Sequence, residues 1–243
     1  MNIDQIEHIE VSNIAIQVKR KHIKNMHLAV YPPDGLVKIS APIATNQEVI
    51  RLFAVSKLGW LKKRIKSFQD QDRETPREFV SGESHYYKGH RYLLKVLETK
   101  GKPHINLSGS KKMMLYVNAG AAVADKHQVL QEWYREQLKQ QLPTLIAKWE
   151  KVINVSCDDW GVKRMRTKWG SCNRDAKRIW LNLELAKKPP LCLEYIIVHE
   201  LVHLHERNHN DRFVRLMNQF MPKWRHHRDT LNSLPVRHED WGY

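Results

Sequence analysis

The sequence predicts an α+β fold: an N-terminal β-rich region, read as antiparallel, followed by a region built from a β-hairpin and a helix that ends in His-Glu-Leu-Val-His. Three observations carry this. Apolar residues alternate with period two over the first forty residues, which suits half-buried strands. The period changes to that of an amphipathic helix over 45–68 and again over 125–153. Two strand-like runs then fall within 162–185, directly before a strongly apolar helical segment. A division into 1–124 and 125–243 follows from this order, with the long helix opening the second part.

Each element has its own signal. Ile14, Ile16 and Val18 share one face of a first strand, Leu28 and Val30 of a second, Val37 and Ile39 of a third, and Pro32-Pro33-Asp34-Gly35 turns the chain between the last two. Ile50, Phe53, Ala54, Leu58, Leu61, Ile65 and Phe68 mark a single helix with Thr45 as its N-cap. Residues 69–78 are polar and break the pattern. Strands are expected near 86–96 and 113–117, separated by a Gly/Lys/Ser-rich loop over 99–112. From Asp125 to Ile153 a long helix presents Leu130, Trp133, Tyr134, Leu138, Leu142, Leu145, Ile146 and Trp149, and Pro143 should kink or divide it. Residues 162–172 read as a strand ending in a glycine turn, and 178–185 as its hairpin partner. Asn210 caps a helix carrying Phe213, Leu216, Met217 and Phe220, which Pro222 stops. Arg237 to Tyr243 read as a loose tail, and no internal repeat is visible.

Composition narrows the function classes. At 243 residues, 42% hydrophobic and 28% charged, the chain can bury a sizeable core. No apolar run is long enough to span a bilayer and the N-terminus has no signal-peptide pattern, so a cytoplasmic setting is expected. Cys157, Cys172 and Cys192 are odd in number and far apart, which argues against a disulfide framework or a cysteine-rich zinc site. The formal net charge of +15 favours encounters with polyanions, yet the basic residues are dispersed in short clusters such as Lys62-Lys63-Arg64 and Lys187-Lys188.

The most informative stretch is 199–209, His-Glu-Leu-Val-His-Leu-His-Glu-Arg-Asn-His. Residues i and i+4 of a helix share a face, so His199 and His203 can aim at one ion while Glu200 reaches toward a water on it. His209 suits the third ligand, because Arg207-Asn208 follow the last periodic apolar residue and Asn tolerates the left-handed turn out of a helix. His205 and Glu206 compete by sequence distance, but His205 points from a different helical face. Three protein ligands leave one coordination position open, the arrangement of a catalytic Zn2+ site; Mn, Co or Ni would be accepted by the same donors. If 162–172 is one continuous strand, alternation puts Arg164, Arg166 and Lys168 on one face, suited to an extended substrate or a phosphate chain. Trp169 and Trp180 are expected to pack the hairpin on the metal helix, or to line a pocket.

Met-Arg-Thr-Lys-Trp-Gly-Ser-Cys (165–172), Leu-Asn-Leu-Glu-Leu, Pro189-Pro190, the run 194–213 and Met-Pro-Lys-Trp near the end together resemble the YgjP-like metallopeptidase family, related to the SprT-like and WLM metalloproteases. The likeness extends upstream through Ala41-Pro42, Lys57, Trp60-Leu61, Gly82-Glu83 and Tyr87-Lys88-Gly89. The resemblance implies a zincin-like catalytic region, zinc held by His199, His203 and His209, Glu200 as catalytic base, and a bacterial cytoplasmic or phage-like setting. Arg166 departs from the usual Lys of the family with its charge kept. Metzincins share the histidine spacing, but Glu206 stands where they have Gly.

These readings converge on metal-assisted hydrolysis with Glu200 as the proton carrier. Arg166, Lys168, Asn182 and the backbone near Gly170-Ser171 are open candidates for stabilising negative charge on the substrate, and Trp169, Ser171 and Arg164 for contacting it. Three function classes follow: a peptidase acting on peptide or protein, a nucleoside triphosphate (UTP) pyrophosphatase with the same zinc site, and a DNA-associated protein of SprT-like kind.

Overall fold

The computed structural model describes residues 6–31, 34–70, 77–165 and 168–234. By compactness the chain divides near residue 74, into a smaller N-terminal unit and a larger one.

The N-terminal unit is a four-stranded sheet covered by two helices. Strands β1 (Ile6–Val11) and β2 (Ile14–Lys21) form a hairpin whose turn residues, Ser12 and Asn13, both have positive φ, as a two-residue turn matched to strand twist requires. Strands β3 (His27–Tyr31) and β4 (Leu36–Pro42) form a second hairpin; Pro32-Pro33 of its turn lie outside the described residues. The order is β1-β2-β4-β3, and β2 runs parallel to β4. The expected purely antiparallel sheet is thus corrected to a mixed one: β3 occupies the outer edge of β4, and the inner edge is left for β2. The expected single helix is two, α1 (Gln47–Ser56) and α2 (Leu58–Gln69), meeting at Lys57. The cap is Asn46 rather than Thr45, its side chain accepting from the Glu48 N–H at 3.0 Å. Ile50, Ala54, Leu61 and Phe68 close the core on Ile16, Val18, Val37 and Ile39.

The larger unit opens with the same arrangement. Strands β5 (Ser84–Tyr87), β6 (His90–Glu98), β7 (His104–Ser108) and β8 (Lys112–Val117) pair in the order β5-β6-β8-β7, with β6 and β8 parallel. β7 lies in the segment expected to be loop: of its apolar residues only Ile105 is buried, too little to raise a strand signal. Helix α3 (Val123–Ile153) crosses the sheet, with Tyr134 donating to the Tyr86 carbonyl at 2.6 Å and Tyr87 donating to Gln137 at 2.8 Å. Pro143 does not divide it. The proline is on the exposed side of the helix, where water can serve the carbonyl that loses its N–H partner. Leu94, Met113, Leu115 and Val117 of this sheet share one core with α3 and with the C-terminal helices. The division expected at 124/125 is therefore displaced: β5–β8 do not close a core with the N-terminal strands.

The remainder builds a three-stranded sheet, β9 (Asp159–Lys163), β10 (Gly170–Asn173) and β11 (Arg178–Asn182), in the order β10-β11-β9. β11 is antiparallel to β10 and parallel to β9. The chain must therefore cross over the end of β11 between 163 and 170, and the continuous strand expected over 162–172 is broken there. A 3-10 turn (Leu183–Lys187) leads to α4 (Pro190–Val202), then α5 (Asp211–Phe220) and α6 (Trp224–Ser233). The sequence beyond 234, including the expected tail, lies outside the described residues. No helix among the described residues is long and apolar enough to cross a membrane.

His85 on β5 is 4% exposed, and burial, aided by Arg77, pushes its pKa down to about 4 against the opposing pull of Glu83. Above the unfolded value of about 6.5 both states are neutral and the full stability is present. Between about 6.5 and 4 the unfolded chain takes up a proton that the folded chain refuses, so stability falls with acid by about 3 kcal/mol. Urea midpoints at neutral pH and near pH 4.5 should show this loss in the parent chain and a smaller one in His85→Phe; equal losses would contradict it.

Candidate metal centre

Helix α4 is buried on nearly every side: Cys192, Leu193, Tyr195 to Val198 and Glu200 to Val202 are all in the interior. An all-round apolar helix has no solvent face, so it must lie at the centre of a core. Pro190 at its first position supplies the preset φ and lacks an N–H that would have no partner there. Its last turn carries His199 and Glu200, and His203 is the C-cap, still in helical conformation. The exit does not use a left-handed Asn208, contrary to expectation. Instead the helix tightens, with Leu204 and His205 N–H groups bonding the Leu201 and Val202 carbonyls at 3.0 Å.

The tightened exit swings His209 back over the helix. The Nε2 atoms of His199 and His209 are 3.0 Å apart, and one ring nitrogen from each of His199, His203 and His209 lies within 4.8 Å of the others. His203 Nδ1 faces the Glu206 carbonyl at 3.0 Å, which turns its Nε2 toward the other two rings. Phe213 of α5 packs against all three imidazoles with centroids 4.7–5.0 Å away. Burial, with repulsion from the other histidines, holds His199 down to about 3, and burial also lowers His203. Burial thus favours the neutral, lone-pair-donating forms of His199 and His203. Three convergent imidazoles with no carboxylate among them suit a borderline divalent ion such as zinc better than a hard ion such as Mg2+.

The competing candidates have other work. His205 Nε2 meets the Ile153 carbonyl at 2.9 Å, tying the end of α3 to this loop. The Glu206 carboxylate accepts from the Asn208 N–H at 3.1 Å and sits 3.9 Å from Arg212. His226 and His227 do not line the cavity.

Glu200 is 5% exposed, and desolvation pushes its pKa up to about 8 against a weaker opposing effect of Lys168. Its closest neighbour is backbone: a Cβ built on Gly170 would stand 2.5 Å from Glu200 Oε1 and 2.8 Å from Cγ. Gly170 opens β10, an edge strand, so the helix and the strand end approach as closely as a missing side chain allows.

A cavity of about 1150 Å³ opens at this point, with His199, Glu200, His203 and His209 among its walls. Lys168, Trp169 and Ser171 line it, as the sequence suggested. Arg164 does not, because the break between β9 and β10 removes the alternation that would have aligned it with Lys168; Arg166 lies outside the described residues. Asn182 is also absent from the walls. Its side chain donates to the Met165 and Lys168 carbonyls at 2.9 and 2.8 Å and accepts from the Glu184 N–H at 3.2 Å, while its own N–H bonds the Trp169 carbonyl at 2.9 Å. It pins the crossing loop rather than presenting itself to a ligand. Trp180 covers Gly161 between Lys163 and Arg178, away from α4. Sequence reasoning missed Tyr195, Arg174, Arg207 and Arg228 on the cavity wall; for Tyr195, four residues before His199, the helical spacing itself was the available signal.

Asn182→Ala should leave buried carbonyls and an N–H without partners and lower stability by about 1–3 kcal/mol, read as a shifted urea midpoint; a midpoint unchanged from the parent chain would exclude this role.

Comparison with known proteins agrees with the geometry. A family model described as YgjP-like, metallopeptidase domain, matches residues 24–234. No curated protein shows significant similarity to the chain. Among solved structures, the metallopeptidase zymogen of Pyrococcus abyssi abylysin is similar over 37% of this chain and 90% of its own, at 16% identity and a TM-score of 0.35. The family match spans far more than half of the sequence and includes both the crossing loop and the three histidines, so the chain belongs to the YgjP-like metallopeptidase family.

Proposed function

We propose that the chain is a zinc-dependent peptidase with a zincin-like catalytic region, in which His199, His203 and His209 hold the ion and Glu200 carries the proton. The observation that supports it most is the convergence of three imidazoles beside a buried carboxylate next in sequence to one of them. A bound zinc ion supplies Lewis acidity toward a carbonyl oxygen and makes a water acidic near pH ~7. The chain's own groups do the rest. Glu200, held against Gly170, takes the proton from the attacking water on a carboxylate oxygen and returns it to the departing amine. The apolar surroundings that raise its pKa increase the basicity of its carboxylate form. The outer edge of β10 offers backbone N–H and C=O groups to an extended peptide, placing a scissile carbonyl across the histidines. Lys168 and the backbone of 170–171 are the groups nearest to charge developing on that carbonyl.

The pyrophosphatase reading drew on the family resemblance, on an Arg164/Arg166/Lys168 face and on net charge, and the DNA-associated reading on the SprT-like relatives and on net charge. With Arg164 off the cavity wall, the first has lost its ordered cation row. Three free cysteines fit the reducing setting of the cytoplasm, the location we propose.

Glu200→Gln should lower peptide cleavage by about 10²- to 10⁴-fold while zinc binding by calorimetry persists. His203→Ala should lose both. Gly170→Ala should cost at least about tenfold in kcat, because its Cβ displaces the carboxylate from its position. Zinc at about 100 times its Kd should stabilise the parent chain by about 3 kcal/mol, visible as a raised Tm, and His203→Ala should forfeit this. Turnover in Glu200→Gln equal to that of the parent would refute the assignment of the base.

A further inference from the structure

The cavity beside the histidines is walled by cations from four separate places. Lys168 comes from the crossing loop, Arg174 and Lys177 from the β10–β11 turn, Arg207 from the exit of α4, and Arg228 from α6. Apart from buried Glu200, the only carboxylate on these walls among the described residues is Asp175. Two of the cations are held by neighbours: Lys177 is 3.9 Å from Asp158, and Arg228 lies over the Trp224 ring with Asp229 2.9 Å from its Nε and Nη2. Lys168, Arg174 and Arg207 form no ion pair among the described residues, although Arg174 is close enough to Glu206 to help lower its pKa. All three are exposed.

Like charges gathered around one concavity repel each other and focus a positive potential into it. Their disposition also constrains the ligand. They come from separate segments of the chain around a space of about 1150 Å³, whereas a single phosphate group is best held by one convergent fork of donors. That space exceeds the usual small-ligand pocket of about 300–1,000 Å³. An extended chain bearing carboxylates at intervals satisfies separate cations in turn.

We propose that the cavity selects acidic polypeptide: segments with Asp or Glu on both sides of the bond that lies over the histidines, with Lys168, Arg174 and Arg207 as the specificity-determining residues. The proposal names the substrate class of the peptidase reading above and rests on it for the cleavage step, but not for binding.

Two measurements on the full, zinc-loaded chain test it. The first is anisotropy of fluorescently labelled Glu/Ala, Gln/Ala and Lys/Ala peptides of equal length, titrated with Glu200→Gln so that nothing is cleaved. The Glu/Ala peptide should bind at least about tenfold more tightly than the Gln/Ala peptide, and this advantage should shrink as salt rises from about 0.05 to 0.5 M. R174E and R207E, made in this background and checked for folding by circular dichroism, should bring the acidic-to-neutral ratio toward one, with Arg→Gln at each position giving a smaller change. Equal binding of the three peptides, or a ratio unmoved by both reversals, overturns the proposal. So does displacement of the Glu/Ala peptide by inorganic triphosphate at concentrations where a further Glu/Ala peptide does not compete, since that marks a compact polyanion site. The second measurement is cleavage of quenched versions of the same peptides by the parent chain. Preference for the acidic one supports the proposal, and preference for the neutral or basic one overturns it. Tight, salt-sensitive binding of the acidic peptide without cleavage of any of them upholds the anion-selective cavity while removing the peptidase reading.

Discussion

The structure of the larger unit depends on one constraint: α4 has no polar face to give to water. Once Cys192, Leu193, Tyr195 to Val198 and Glu200 to Val202 are committed to the interior, α3, α5, α6 and the 3-10 turn have to surround them, and polar side chains escape only at Glu194, which pairs with Lys148, and in the last turn. That is where His199, Glu200 and His203 stand. At this boundary His203 Nδ1 meets a carbonyl, His199 Nε2 meets His209 and Glu200 faces the cavity, while His199 Nδ1 is buried without a hydrogen-bond partner among the described residues. Burial of this helix therefore sets both the stability of the unit and the electrostatics of its chemistry.

A second constraint acts through β11. Because β9 and β10 flank it on opposite sides, the chain between them has to pass over its end, and Asn182 at that end holds the passing loop with side-chain bonds to Met165, Lys168 and Glu184. The loop in turn delivers Trp169 and Gly170 to α4. A residue that does not itself line the cavity thus governs the strand that forms its edge. Such a buried polar group with every bond used is a rigidifying device, and it costs most when half satisfied.

What was legible in the sequence follows from this physics. The histidine spacing, the apolar stripe of α4, the Asn210 cap and the period of α3 are local signals, and each element stands close to its predicted place. The pairing of strands is not local. Nothing in residues 14–42 says that β2 will lie parallel to β4, and nothing in 162–172 says that the strand must break to reach the far side of β11. Arg164 is off the cavity wall for that reason, since its suggested place assumed an alternation that topology interrupts, and Asn182 is off it because its side chain is spent on the crossing loop. Gly170 illustrates the converse case: its glycine was visible, but the carboxylate whose place a side chain would take lies thirty positions later.

The histidines, Glu200, Gly170, Asn182 and the crossing loop all fall within 165–209, and the pairing nearest the centre, β10 with β11, is a hairpin. His199, His203 and His209 lie within ten positions of one another, so closing them on an ion spans less chain than the parallel pairings of β2 with β4 and β6 with β8, each of which waits for an intervening strand. The ligand set is thus encoded locally, while the parallel pairs of the mixed sheets carry the more distant, slower contacts. During folding, the ligand set can come together before the sheets around it have finished pairing, so an ion that stabilises those histidines also biases the order in which the larger unit assembles.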